Sequence, residues 1–290
     1  MSAQILDGKG LSARLRARLR QRAEALAAQG RQPGLAVVLV GDSPASQLYV
    51  KNKIRACEES GIHSLQHCLP QETSETALLE LIGQLNVDEA VHGILVQLPL
   101  PPHIDVRRVL AAIAVEKDVD GFHVHNVGHL TIGNPGLPPC TPAGVMALLE
   151  DAGIDLAGKH AVVIGASNIV GKPMALMLLA KGATVTICHA KTRNLTQHTI
   201  FADVVVAAAG CPKLVRKQMI QNGAVIVDVG INRLPDGTIA GDVDFDEVQQ
   251  IAGWISPVPG GVGPMTVTML MENTLRAAEQ SMFCCSQGEK

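Results

Sequence analysis

Two groups of residues have types and spacing that could do chemistry on a small molecule. A helix over residues 43–61 would carry Ser46, Tyr49 and Lys53 on one face, at i, i+3 and i+7. Tyr49 is the single tyrosine of the chain. A phenol beside an amine suits proton transfer, and the same spacing also suits surface packing along the lysine stem. Gln97 stands near the C-terminal end of the apolar run 92–102, which is where open parallel sheets place their ligands. An unpaired buried amide costs about 1–3 kcal/mol, so Gln97 needs a partner, a lysine or a backbone group. Asp118 and Asp120 in the string KDVDG offer two carboxylates, and equally fit an acidic turn.

A different chemistry is written in AVVIGASNIVGKP, residues 161–173. A strand, a glycine-rich turn and a helix in that order direct backbone N–H groups and a positive helix end at a pyrophosphate. The spacing departs from G-x-G-x-x-G, because Gly165 and Gly171 are six apart and Ser167 takes the place of the middle glycine. A triphosphate-binding loop is excluded, since five residues separate the glycines and Pro173 stands where a magnesium-binding hydroxyl is required. A glycine turn needed only for tight packing would look the same. The next strand ends in His189, Ala190, Lys191, Thr192 and Arg193, with no acid to take a ribose 2′-hydroxyl. Two cations there favour the 2′-phosphate of NADP over NAD, unless both are simply solvated.

These residues must be positioned by elements, and the chain has room for two domains at 290 residues. From residue 35 short apolar runs alternate with helical stretches, the pattern of parallel strands joined by crossover helices. Strands are expected at 35–42 and 92–101, then at 161–165, 183–189, 202–210 and 223–230. The loop 133–142 breaks the pattern, and Thr141 with Pro142 has the form of an N-cap followed by a first-turn proline. The fold class is therefore α/β with two domains. The first is a catalytic domain over 1–139, completed by the C-terminal helix 267–290, and the second a Rossmann-type dinucleotide-binding domain over 140–266.

Composition removes other classes of function. A formal charge of −3 and 2% aromatic residues leave neither a phosphate-neutralising surface nor stacking rings, so no nucleic-acid partner is expected. The apolar runs fall short of the roughly 18 residues of a membrane span. Five arginines at 14–22 resemble a targeting helix, but Glu24 argues for a surface helix closed by Gly30, with Leu11, Leu15, Leu19 and Leu26 inward. Seven scattered cysteines fit free thiols in a cytoplasmic protein, not a disulfide framework or a zinc site.

The strings YVKNK (49–53), VQLPLP (96–101), KDVDGF (117–122), GASNIVGKP (165–173) and PGGVGPMT (259–266), in this order, closely resemble the bacterial bifunctional methylenetetrahydrofolate dehydrogenase/methenyltetrahydrofolate cyclohydrolases. The resemblance runs from about Ile5 to Ala278 and implies a cleft between the two domains. It implies an NADP-dependent oxidoreductase and hydrolase of one-carbon metabolism, serving purine biosynthesis, and typically a homodimer. It implies that Lys53 is catalytic, with Tyr49 and Gln97 positioning it and the substrate, and that Asp120 pairs with pterin donors. The folate would meet Ser46, Tyr49, Val50, Lys51, Asn52, Lys53, Val96, Gln97, Leu98 and Asp120, together with Pro259, Gly260, Gly261, Val262 and Gly263. The dinucleotide would meet Gly165, Ala166, Ser167, Ile169, Val170, Ala190, Lys191, Arg193 and Ile231.

The residue types suit those reactions. Hydride loss from a one-carbon bridge between two nitrogens needs orientation and a cofactor, whereas hydrolysis of the resulting cation needs a base. A lysine serves as that base only when burial and nearby positive charge lower its pKa from about 10.4. Two departures from the family stand out. Ala166 and Ala190 replace an arginine and a serine that some members use for the 2′-phosphate, which leaves that work to Lys191 or Arg193. His125 and His129 replace Tyr and Arg; with His123 they mimic a metal set, although the family implies no metal. The alternatives are a monofunctional or NAD-dependent dehydrogenase, or a non-catalytic nucleotide-binding protein on the same scaffold.

Overall fold

The computed structural model describes residues 2–134 and 136–285, the side chains of 44–46, 48 and 282–285 excepted. The chain divides into two compact units, one of residues up to Ser12 with Thr141–Thr266, the other of Ala13–Cys140 with the residues from Val267 on.

After β1 (Gln4–Ile5) and α1 (Gly8–Ala27), the second of these units contains β2 (Gly34–Val40), α2 (Pro44–Glu59), β3 (His63–Leu69), α3 (Glu75–Val87), β4 (Gly93–Val96), α4 (Val106–Ala112) and α5 (Val124–Thr131). Its three strands form a parallel sheet in the order β3-β2-β4. The central place of β2 follows from its sequence: GLAVVLV is apolar on both faces and every residue is buried. β3, HSLQHCL, alternates and lies at the edge. Pro44 supplies a preset φ at the start of α2, and Ser74 caps α3 by accepting the Ala77 N–H at 3.2 Å. Leu35, Val37 and Leu39 pack with Leu19 and Ala23 of α1, Val50 and Ala56 of α2, and Leu270 and Leu275 of α10 (Val262–Cys285). The opposite face, Ala36, Val38 and Val40, packs with Leu78, Ile82 and Val109 of α3 and α4.

The other unit contains α6 (Cys140–Asp151), β5 (His160–Ile164), α7 (Gly171–Ala180), β6 (Thr184–Cys188), α8 (Leu195–Thr199), β7 (Val204–Ala207), β8 (Val225–Asp228), β9 (Asn232–Arg233), β10 (Ile239–Ala240), α9 (Phe245–Val248) and β11 (Trp254–Ile255). Six strands form a parallel sheet in the order β1-β11-β8-β7-β5-β6. The buried runs VVVA and VIVD occupy its middle.

Four local readings change. Residues 4–5, read with the first half of the chain, pair in parallel with Trp254 and Ile255. Thr141 does not begin its helix: α6 starts at Cys140, and the Thr141 hydroxyl lies 3.1 Å from that of Thr266. The last helix begins at Val262 rather than after Thr266, because Pro264 falls in its first turn, where no N–H is needed. The arginine face of α1 is not wholly solvated, since Arg22 reaches Glu272 and Glu279 of α10 at 2.8 Å each. Leu11, Leu19 and Leu26 are buried as read, and Leu15 is half-buried. Among the described residues no helix is long and apolar enough to cross a membrane.

Candidate active site

Lys53 projects from the middle of α2, half-buried, and its Nζ donates to Oε1 of Gln97 at 3.0 Å. Gln97 directly follows β4, and its backbone N–H still pairs with the Val38 carbonyl, so the register of the sheet fixes its Cα. Its own Nε2 donates to the Leu98 carbonyl at 2.6 Å. That second bond decides which end of the amide faces Lys53, because an amide nitrogen could not accept from an ammonium. The partner required for Gln97 is thus both a lysine and a backbone group. Tyr49, one turn before Lys53, is 42% exposed and leaves its ring accessible to a ligand.

Asp118 and Asp120 divide the work between them. Asp118 is buried and accepts from Phe122 N–H at 3.2 Å, His123 N–H at 2.8 Å and Asn126 Nδ2 at 2.8 Å. It is a turn-former, satisfied within its own loop. Asp120 is only partly accessible, and desolvation pushes its carboxyl up to about 6, with Lys53 pulling down and Asp118 pushing up. Lys53, Gln97 and Asp120 therefore form one electrostatic cluster in one unit.

The remaining expected folate contacts scatter more widely. Val50 and Val96 are 1% and 2% exposed and belong to the core, so each side chain offers a ligand little surface. Lys51 and Asn52 are exposed on α2 and Leu98 is half-buried. Val50 and Lys51 line a cavity of about 800 Å³ with Asp42, Gln47, Gln66 and Glu72, and Lys53, Gln97 and Asp120 take no part in that lining. The Ser46 side chain lies outside the described residues. In the other unit Pro259 is exposed, Gly260 and Gly263 are half-buried, and Gly261 and Val262 are buried.

The glycine-rich turn between β5 and α7 is built by close approach. A Cβ on Gly165 would stand 2.1 Å from the Ala208 carbonyl oxygen, and one on Gly171 would stand 2.0 Å from that of Gly165. Ser167, in place of the middle glycine, accepts the N–H groups of Val170 and Gly171 at 3.1 and 3.3 Å. Ala166 is half-buried and Ile169 is 40% exposed at the turn. At the end of β6, Ala190, Lys191 and Arg193 are all exposed, and neither cation forms an ion pair among the described residues. The backbone around them is fixed by Lys191 N–H on His189 Nδ1 at 3.1 Å and His189 N–H on Thr192 Oγ1 at 2.9 Å. Ile231, just beyond β8, is 47% exposed.

Two family models cover most of the chain. The tetrahydrofolate dehydrogenase/cyclohydrolase catalytic domain matches residues 6–120, and the NAD(P)-binding domain of the same family matches residues 139–282. The chain belongs to the tetrahydrofolate dehydrogenase/cyclohydrolase family. It is 60% identical over 281 residues to the bifunctional protein FolD of Polynucleobacter asymbioticus, spanning 97% of this chain and 99% of that one. The crystal structure of the bifunctional FolD methylenetetrahydrofolate dehydrogenase/cyclohydrolase of Campylobacter jejuni superposes with a TM-score of 0.95 at 54% identity, covering 97% and 100%. That of the Trypanosoma brucei enzyme, complexed with NADP cofactor and inhibitor, gives 0.94 at 39% identity, covering 97% and 99%.

In this member of the tetrahydrofolate dehydrogenase/cyclohydrolase family the unusual histidines act locally. His123 caps α5, its Nδ1 accepting the His125 N–H at 3.2 Å, and the two rings meet edge to face. Among the described residues no three His, Cys, Asp or Glu side chains are grouped to hold a metal ion. Residues that pattern reading missed hold the site from behind. Asn273 of α10 donates to the carbonyls of Val119 and Pro138 at 2.9 and 2.8 Å, bracketing Asp120. Cys140, buried beside it, donates to the Val119 carbonyl at 3.2 Å, and burial, with Asp120 nearby, raises its thiol well above the usual range. No motif announces an asparagine whose partners lie more than 130 residues away.

Proposed function

We infer that this protein oxidises 5,10-methylenetetrahydrofolate to 5,10-methenyltetrahydrofolate with NADP and hydrolyses the product to 10-formyltetrahydrofolate. The observation that carries this reading is the Lys53–Gln97 contact of 3.0 Å beside Asp120, an amine, an amide and a carboxylate placed by α2, β4 and one turn. Above a pH of about 6 Asp120 is ionised and accepts from the pterin amino and ring N–H groups, which orients the substrate. The nicotinamide supplies the hydride acceptor. Nitrogen lone pairs of the substrate stabilise the cation left behind, so the chain contributes geometry at this step rather than an acid or a base.

Hydrolysis asks more of the side chains. Water adds to the amidinium carbon while Lys53 takes one proton, and that proton passes to N5 as the carbon–N5 bond opens and the carbinol O–H releases its remaining proton to solvent, leaving the formyl group on N10. Lys53 is the amine that Gln97 holds at the site for this step. Gln97 keeps Nζ in place through the exchange, and Tyr49 lies on the same helix face for contact with the substrate.

The dinucleotide reading rests on the turn at Gly165 and Gly171, the exposed Ile231 and the two cations that form no ion pair among the described residues, with Lys191 or Arg193 holding the 2′-phosphate. The NADP complex of the trypanosomal relative supports it. Purified protein given methylenetetrahydrofolate and either NADP or NAD tests the whole reading when reduced nicotinamide and methenyl absorbance are followed together. Reduction with NADP and no methenyl build-up is expected. Methenyl accumulation would leave only a dehydrogenase, and preference for NAD would overturn the cofactor assignment.

We also propose a cytoplasmic homodimer. Cys57, Cys140 and Cys188 are buried as free thiols, as a reducing compartment requires. β6 is an edge of the six-stranded sheet, and the exposed Ile187 on it, with exposed Leu179 and Phe201 in the same unit, suits a second copy. Light scattering during size exclusion should give twice the chain mass, and Ile187→Lys should halve it.

A further inference from the structure

The most heavily hydrogen-bonded carboxylate among the described residues has no part in the functional reading so far. Asp242 is fully buried, and its Oδ2 accepts the N–H groups of Ala209 and Gly210 at 2.6 and 2.9 Å. Its Oδ1 accepts the N–H of Cys211 at 2.9 Å and Nδ2 of Asn232 at 2.8 Å. Three consecutive backbone donors and one side-chain donor thus converge on one side chain. Its own backbone N–H is in turn held by Oδ1 of Asp228, the last residue of β8, at 2.9 Å.

The donors lie just past the carboxyl ends of two adjacent strands, β7 and β8, the edge at which parallel sheets bind their ligands. Residues 208–211 are the loop whose Ala208 carbonyl abuts Gly165, and Asn232 directly follows Ile231. The fit is close: a Cβ on Gly230 would stand 2.3 Å from Oδ1 of Asp242.

We propose that Asp242 is a positioning residue for the dinucleotide, setting the loop 208–211 and Ile231 at the spacing that the cofactor needs. This deepens the NADP reading above and rests on it. A carboxylate is required rather than an amide: both oxygens accept two donors, so the NH₂ of an asparagine would face N–H groups in either orientation. The effect falls on the dinucleotide rather than on the hydrolytic step, because Lys53, Gln97 and Asp120 lie in the other unit.

The test measures NADP affinity by titration, KM for NADP and for folate, and hydrolysis of supplied methenyltetrahydrofolate, a reaction that consumes no cofactor. Asp242→Asn should weaken NADP binding tenfold or more, with hydrolysis and the folate KM within twofold of the parent. Asn232→Asp with Asp242→Asn should recover part of the affinity, because the new carboxylate accepts from the new amide. If Asp242→Asn does not fold, as loss of hydrolysis would show, Asn232→Ala replaces it, removing one donor and weakening NADP severalfold. Unchanged NADP affinity in the folded variant, or equal losses of NADP affinity and hydrolysis in Asn232→Ala, would overturn the proposal. A parent protein that binds no NADP would instead sink the reading on which it rests.

Discussion

Nζ of Lys53 and Oε1 of Gln97 stand 3.0 Å apart because the amide of Gln97 is already turned by its bond to the Leu98 carbonyl. The pair is preset, so the amine on which the proposed hydrolysis depends needs no search for its place. Lys53→Gln should abolish hydrolysis while some hydride transfer persists, so that methenyltetrahydrofolate accumulates. Following both absorbances in one cuvette checks it, and equal loss of the two steps would refute the division of roles.

Removing the other member of the pair should be milder. Gln97→Ala deletes a hydrogen bond to a charged group, worth about 1.5–3 kcal/mol, and hydrolysis should fall roughly 10- to 100-fold. Hydride transfer should fall less, because orientation is shared with Asp120. The ratio of the two rates is the measurement, and a larger loss of hydride transfer would contradict it.

Asp120 predicts two pH effects. Its carboxyl sits at about 6, so the folate KM should rise as pH falls through 6, and Asp120→Asn should flatten that rise at a KM roughly tenfold higher, about the loss of one charge-assisted bond. For stability the sign is opposite to that of a salt-bridged acid. The folded value exceeds the ordinary 3.8, so the folded state binds the proton more tightly; its contribution is present below about pH 4 and lost as pH rises through 6. Urea titrations should show a shallower decline from pH 4 to 6 in Asp120→Asn than in the parent. Asp228, buried and likewise raised to about 6, leaves a residual slope in both.

These sites show how far the sequence was legible. Gln97 stood out because an amide in an apolar strand demands a partner, and the period of α2 put Tyr49 and Lys53 on one face. What was not legible depends on pairing across distance. Asp118 and Asp120 are alike in the string KDVDG, and only the donors of Phe122, His123 and Asn126 make the first a turn-former. Asn273 and Asp242 act on backbone groups, which no side-chain pattern encodes. A strand of two residues, such as β1, is too short to show a period.

The proposed NADP preference assigns the 2′-phosphate to Lys191 or Arg193. Replacing either with alanine should raise KM for NADP about fivefold to tenfold and leave that for NAD unchanged, since an exposed ion pair contributes about 1 kcal/mol and only one dinucleotide bears the phosphate. Steady-state kinetics with both cofactors decides it. An equal effect on both would place the cations elsewhere in the site.

Asn273→Ala should destabilise the fold by about 2–4 kcal/mol, because it strands the carbonyls of Val119 and Pro138. It should also raise the folate KM, as Asp120 loses its bracket. Denaturation midpoints and folate kinetics on one preparation check both, and a stability loss without a KM change would separate Asn273 from the site.

The pairing of Gln4 and Ile5 with Trp254 and Ile255 sets an order of events during synthesis. β1 leaves the ribosome about 250 residues ahead of its neighbour β11, and at about 5–20 residues per second it waits roughly 10–50 s for it. In that interval the strands β3, β2 and β4 can pair behind it, while the face of β2 that Leu270 and Leu275 cover still awaits α10. The six-stranded sheet gains β1 as its edge only once β11 has emerged, and α10 then completes the other unit.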